Sequence, residues 1–177
     1  MIRELGTKAD PIRDRITLDG RPIAPRRLRY IAYHKPVGVV STMADPQGRP
    51  AIGDVVRGLR EHVFPVGRLD YESSGLLLLT NDGALAQSLT HPRFKVDKVY
   101  RVKVRGHLDE AALRRLRDGV KLADGLTAPA EVEVEGRLEG KTRLRVILRE
   151  GRQRQVRRMC ESVGHPVDRL SRVAIGP

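Results

Sequence analysis

Four leucines in a row, Leu76 to Leu79, form the longest aliphatic run in the chain. The run is far short of the roughly 20 apolar residues that a membrane-spanning helix requires. Turn-forming residues bound it, Ser73-Ser74-Gly75 before it and Asn81-Asp82-Gly83 after it. An apolar run of that length between turn signals predicts a short buried strand. Such a strand needs partners, and the chain supplies them. Residues 29–41 read as an extended run interrupted by the turn signal Lys35-Pro36-Val37-Gly38. Residues 96–104 carry Val96, Tyr100, Val102 and Val104 in period two after a slip near Lys98. Residues 130–135 and 142–148 read as strands joined across Glu139-Gly140-Lys141, and 167–175 as a last strand.

Helices are fewer. Asp82 can cap a helix over 84–89, and Asp109 one running to about Asp118 with Leu113 and Leu116 inward. Residues 153–163 place Val156, Met159, Cys160 and Val163 at i, i+3, i+4 and i+7, one buried stripe, with Gly164 and Pro166 to stop the helix. Strands outnumber helices and do not alternate with them in βαβ fashion. The expected class is therefore α+β with a largely antiparallel sheet. Aromatic residues are only 3% of the chain and Trp is absent, so the core must rest on Leu, Val and Ile. Residues 1–28 read as a small separate piece, with two short extended runs around Asp19-Gly20 and then the basic linker Pro25-Arg26-Arg27. That piece is too short for a core of its own. Residues 29–177 form the main domain.

The formal net charge is +12, from 34 Lys plus Arg against 22 Asp plus Glu. A balance of that kind favours polyanionic partners, nucleic acid first and an anionic membrane surface second. Met1 to Gly6 holds no apolar signal core, and the single Cys160 excludes an intrachain disulfide. A reducing cytoplasm is the expected compartment. No phosphate-binding or dinucleotide glycine motif is present, and His34, His62, His91, His107 and His165 are scattered without metal-ligand spacing. Neither a metal nor a cofactor is expected.

Three segments can carry chemistry. In Gly67-Arg68-Leu69-Asp70-Tyr71-Glu72-Ser73-Ser74-Gly75, Asp70 stands on a polar loop that abuts the leucine strand, where a carboxylate is held rigidly. The plain alternative is an aspartate that caps a turn. Tyr100, in Lys98-Val99-Tyr100-Arg101-Val102, can stack on a base, or be a half-buried strand tyrosine. Residues 149–158 hold five arginines and one acid at the start of a helix, a place that favours phosphate, though charge runs more often form a solvated face. On the helical wheel Arg154 and Arg158 project away from the core. Arg157 lies at the border of the apolar stripe, where it can reach a buried carboxylate.

Together these segments resemble the signatures of bacterial ribosomal-RNA pseudouridine synthases, in the branch of small-subunit synthase A and large-subunit synthases B, E and F. Gly67-Arg68-Leu69-Asp70 continued by Ser73 to Gly83 is similar to the first motif, Lys98 to Val102 to the second, and Glu150 to Met159 to the third. The third motif is more similar to the large-subunit synthase B group. The resemblance implies a mixed, mainly antiparallel sheet in two halves with a cleft across its middle. It implies Asp70 as the catalytic aspartate, Tyr100 as the active-site tyrosine and Arg157 as the basic residue paired with the aspartate. Arg68 would brace the loop, and Arg68, Arg152, Arg154 and Arg158 would meet RNA. The implied reaction breaks the bond between uracil N1 and the ribose, turns the base and rejoins it through C5, with no cofactor. Residues 1–28 are similar to the tail of a small RNA-binding domain that precedes the catalytic domain in many members. Members also usually continue past an Ile175-Gly176-Pro177 equivalent, so the chain is expected to be a fragment. The expected partner is ribosomal RNA and the expected state a monomer. A non-catalytic RNA-binding module and a glycoside hydrolase using Asp70 with Glu72 or another acid are the rival readings; the second requires two carboxyl groups roughly 5–10 Å apart across a sugar site.

Overall fold

The computed structural model describes residues 6–10, 13–23 and 27–176. Pro25 and Arg26 of the expected linker lie outside them. The first hairpin, β1 (Thr17–Leu18) and β2 (Arg21–Pro22), turns through Asp19 and Gly20, both with positive φ, as a tight two-residue hairpin demands. Then follow β3 (Tyr30–Lys35), a short helix α1 (Ile52–Val56), β4 (Phe64–Pro65), β5 (Ser74–Thr80) and α2 (Gly83–Thr90). The chain continues with β6 (Lys98–Arg105), α3 (Glu110–Asp118) and a small hairpin of β7 (Lys121–Leu122) and β8 (Gly125–Leu126). It ends with β9 (Glu131–Leu138), β10 (Lys141–Leu148), α4 (Gln155–Ser162) and β11 (Val167–Ile175).

Among the described residues, one seven-stranded sheet runs in the order β3-β5-β11-β6-β10-β9, with β4 also paired to β5. Every pairing in it is antiparallel except β5 with β11. The α+β expectation holds. The leucine strand starts at Ser74, two residues ahead of the leucines, and the 153–163 helix is shortened to Gln155–Ser162. Asp82 and Asp109 cap α2 and α3, accepting from the backbone N–H of Leu85 and of Ala112. Helix α1 and the β7–β8 hairpin were not legible, because neither is long enough to show a period.

The sheet falls into two halves at β5. One edge of β5 pairs with β3 from Tyr30 to Lys35. The other edge is divided: Ser74 and Gly75 pair with β11, while Leu79 and Thr80 pair with β4. Two residues of parallel ladder therefore join the halves, and beyond them the strands part. Each half has its own core. Helices α3 and α4 cover Val102, Val104, Leu144, Val146 and Leu170 on one side of the seam. Ile52, Val56, Val63, Leu69, Leu77 and Leu79 pack together on the other. Tyr100 packs against both.

Candidate active site

The loop carrying Asp70 lies between β4 and β5, over the seam. Three sets of bonds fix it. The Ser41 hydroxyl donates to the Leu69 carbonyl at 2.8 Å and accepts from the Leu69 N–H at 3.1 Å. The Gly38 N–H donates to the Tyr71 carbonyl at 2.9 Å, and the Ser73 N–H closes a turn onto the Asp70 carbonyl at 3.0 Å. Leu69 is buried and anchors the loop in the second core. Asp70 itself is half-buried and lines a cleft of about 590 Å³. Tyr100 lines the same cleft from β6, opposite Arg172 of β11. The structure thus brings Asp70 and Tyr100 into one cavity from elements thirty residues apart in sequence.

Lys35 is fully buried at the end of β3. Its Nζ donates to the carbonyls of Pro36 and Val39 at 2.8 and 2.7 Å. Burial pulls its pKa down to about 8, while the negative charge of Asp70 acts in the opposite direction. The sequence reading took Lys35 only as the start of a turn and missed this electrostatic neighbour of Asp70. A lysine that ends a strand of otherwise half-apolar residues was the available signal.

Arg157 is buried, 6% exposed, but the expected direct pair with Asp70 is not formed. Its Nη2 donates to the Glu72 carbonyl at 2.9 Å and to the Ser73 hydroxyl at 3.4 Å, and its Nη1 lies 3.8 Å from the Glu72 carboxylate. The register of α4 places the guanidinium under the turn that follows Asp70, so it clamps the loop from below. Among the described residues no cation lies within ion-pairing distance of Asp70.

The four remaining arginines divide. Arg68 is exposed, lines the cleft and makes no ion pair among the described residues. Arg154 lines the cleft and pairs with the Glu72 carboxylate at 3.2 Å. Arg152 also lines it, but its guanidinium is taken up by Glu150 and by the Asp124, Gly125 and Leu126 carbonyls. Arg158 grips the Asp124 carboxylate through both Nη atoms at 2.9 Å, which holds that carboxyl below its usual range. Arg152 and Arg158 therefore tie the β7–β8 hairpin to the start of α4. Two cleft-lining cations escaped the sequence reading, Lys98 and Arg172. Arg172 stands in period two with buried Leu170, and an arginine in the buried phase of a strand was the missed signal. Cys160 is buried in the α4 stripe and its thiol is pushed up to about 12, chiefly by burial, so it is no nucleophile.

The model of the RNA pseudouridylate synthase family matches residues 29–162, the span that contains Asp70, Tyr100 and Arg157 but stops short of β11. The chain belongs to the RNA pseudouridylate synthase family. The synthase is 44% identical, over its whole length and 72% of the relative's, to an uncharacterized RNA pseudouridine synthase of Aquifex aeolicus (strain VF5). It is 41% identical to ribosomal large subunit pseudouridine synthase B of Bacillus subtilis (strain 168), over 97% of this chain and 71% of that one. A crystal structure of a pseudouridylate synthase superposes with a TM-score of 0.77 at 28% identity, covering 88% of this chain and 66% of the other. These matches make the synthase an enzyme that converts uridine in RNA to pseudouridine. Among the described residues, no helix is long and apolar enough to cross a membrane.

Proposed function

We propose that the chain isomerises one uridine of large-subunit ribosomal RNA, with Asp70 as the essential carboxylate. The observation that carries this reading is the shared cavity: a half-buried carboxylate on a fixed loop and a tyrosine of β6 line one cleft at the seam of the two half-sheets. The similarity to large subunit synthase B of Bacillus subtilis supports the choice of RNA. The target uridine leaves its stack to reach the cleft, and Tyr100 stacks on the base while Arg68 and Arg154 meet the backbone phosphates. Asp70 acts on the sugar, as nucleophile or as base, while the N1–ribose bond breaks. The base turns, C5 bonds to the same sugar carbon, the C5 proton is lost and N1 gains one, so the reaction is an isomerisation without external reductant or energy. Arg157 is a positioning residue: through Glu72 and Ser73 it fixes the turn that aims Asp70. Residues 1–28 are proposed as the end of an RNA-binding domain, and the protein as a monomer.

The glycoside hydrolase alternative loses its second carboxylate. Glu72 is held by Arg154 and Arg157 and does not line the cleft. Glu150 does line it, but its carboxylate is bonded to Arg152, Gln155 and the Ala128 N–H. The test is tritium release from ribosomal RNA transcripts labelled at uridine C5. Release by the native chain and none by Asp70→Asn is expected, with RNA binding retained. Equal release by both proteins would overturn the role of Asp70. No release by either would overturn the isomerase assignment.

A further inference from the structure

Arg172 and Lys98 both line the cleft, and among the described residues neither has an anionic partner within ion-pairing distance. Arg172 is 4% exposed. Its Nε donates to the Leu76 carbonyl at 2.8 Å, whereas its Nη2 is buried with no hydrogen-bond partner. Lys98 lines the same cavity from β6, and its Nζ donates to the Val96 carbonyl at 3.1 Å. Burial, and after it the charge of Arg172, hold the Lys98 pKa below the usual lysine range, against a weaker opposing pull from Asp97. Among the described residues neither side chain makes an ion pair. Arginines elsewhere in the protein do: Arg149 sits between Asp97 and Glu131, and Arg158 on Asp124.

Two like charges withdrawn from water side by side are unfavourable, and a buried donor without a partner adds to the cost. The gap between β5 and β11 explains one contact only. There Arg172 Nε replaces a ladder bond to Leu76, but that leaves Nη2 and Lys98 unexplained. A neutral uracil oxygen can accept from Nη2 yet leaves both charges uncompensated. A phosphate answers both, because its two free oxygens suit a guanidinium fork and an ammonium together.

We propose that Arg172 and Lys98 form a phosphate-binding subsite in the cleft, taking a phosphodiester group of the nucleotide drawn in beside Tyr100. The subsite rests on the RNA-isomerase reading for the identity of its ligand, though not for its affinity for phosphate. Seated there, the phosphate neutralises the pair and fixes the nucleotide's sugar relative to Asp70.

Inorganic phosphate is the first probe. The full chain, labelled with carbon-13 in its lysines, is titrated with phosphate while the Lys98 Cε signal is followed by NMR. A saturable shift is expected, with Lys98 titrating at higher pH when phosphate is bound. Arg172→Gln should weaken the phosphate affinity by about tenfold or more, whereas Arg60→Gln, at an exposed position away from the cleft, should leave it unchanged. If Arg172→Gln does not fold, Lys98→Gln followed by phosphorus-31 line broadening provides the same comparison. Absence of a saturable response at Lys98, or equal phosphate affinity in these variants, overturns the subsite. Turnover of RNA without any phosphate response overturns the subsite alone. A phosphate response without turnover of any ribosomal RNA overturns the isomerase reading and leaves the anion site.

Discussion

Replacing Gly75 by alanine strikes the point where the two half-sheets join. Gly75 has φ +107, a conformation L side chains rarely adopt, and a Cβ built there lies 2.2 Å from the Arg172 carbonyl oxygen and 2.6 Å from the Arg172 nitrogen. Both are backbone atoms, so no side-chain rotation relieves the clash. The backbone strain alone is worth about 1–3 kcal/mol. Relief requires β11 to move away from β5, which breaks the two-residue parallel ladder, at roughly 1 kcal/mol for each hydrogen bond lost. The expected loss is about 3–5 kcal/mol, a large share of the 5–15 kcal/mol typical of a domain. Urea unfolding by linear extrapolation measures it, with Gly58→Ala as control, because nothing lies within 4 Å of a Cβ at Gly58 and its φ is ordinary. Any folded Gly75→Ala protein should also be impaired in tritium release, since the cleft is built across the same seam. A change within about 0.5 kcal/mol of the native value, the range of neutral surface substitutions, would refute the view that close approach at Gly75 holds the halves together.

Three further outcomes are expected. Arg157→Leu releases the turn at Glu72 and Ser73, and a displacement of Asp70 by about 1 Å should lower kcat by roughly 10²-fold with KM little changed; a native kcat would remove Arg157 from the positioning of Asp70. Lys35 has a folded pKa of about 8 against 10.5 for the free side chain. Between those values the unfolded chain binds more protons than the folded one, so this group makes stability rise with pH across the window and contributes no slope below it. Comparing urea midpoints of the native protein and Lys35→Met across that window checks the sign, and an identical pH slope in both would contradict it. Cys160, with its thiol pushed up to about 12 by burial, should resist a disulfide reagent at pH 8 until urea unfolds the chain; rapid labelling of the native protein would refute its burial.

Much of the local structure was legible because local chemistry decides it. The leucine run at β5, the period-two run at β6, the caps at Asp82 and Asp109 and the stripe on α4 all follow from patterns within a dozen residues. The family motifs around Asp70, Tyr100 and Arg157 were equally visible, since each is a contiguous string. What those strings do to one another was not. The wheel placed Arg157 at the border of a buried stripe, and it is buried there, but the sheet brings Glu72 and Ser73 over it in place of Asp70. The parallel pairing of Ser171 and Arg172 with Ser74 and Gly75 joins segments almost a hundred residues apart, and no short-range pattern records it. That pairing makes the seam, leaves Leu76 to Arg172, and presses Arg172 towards Lys98. Sequence named the carboxylate because a motif travels with its neighbours; only the tertiary structure decided which charges surround it, because charges interact through space and not along the chain.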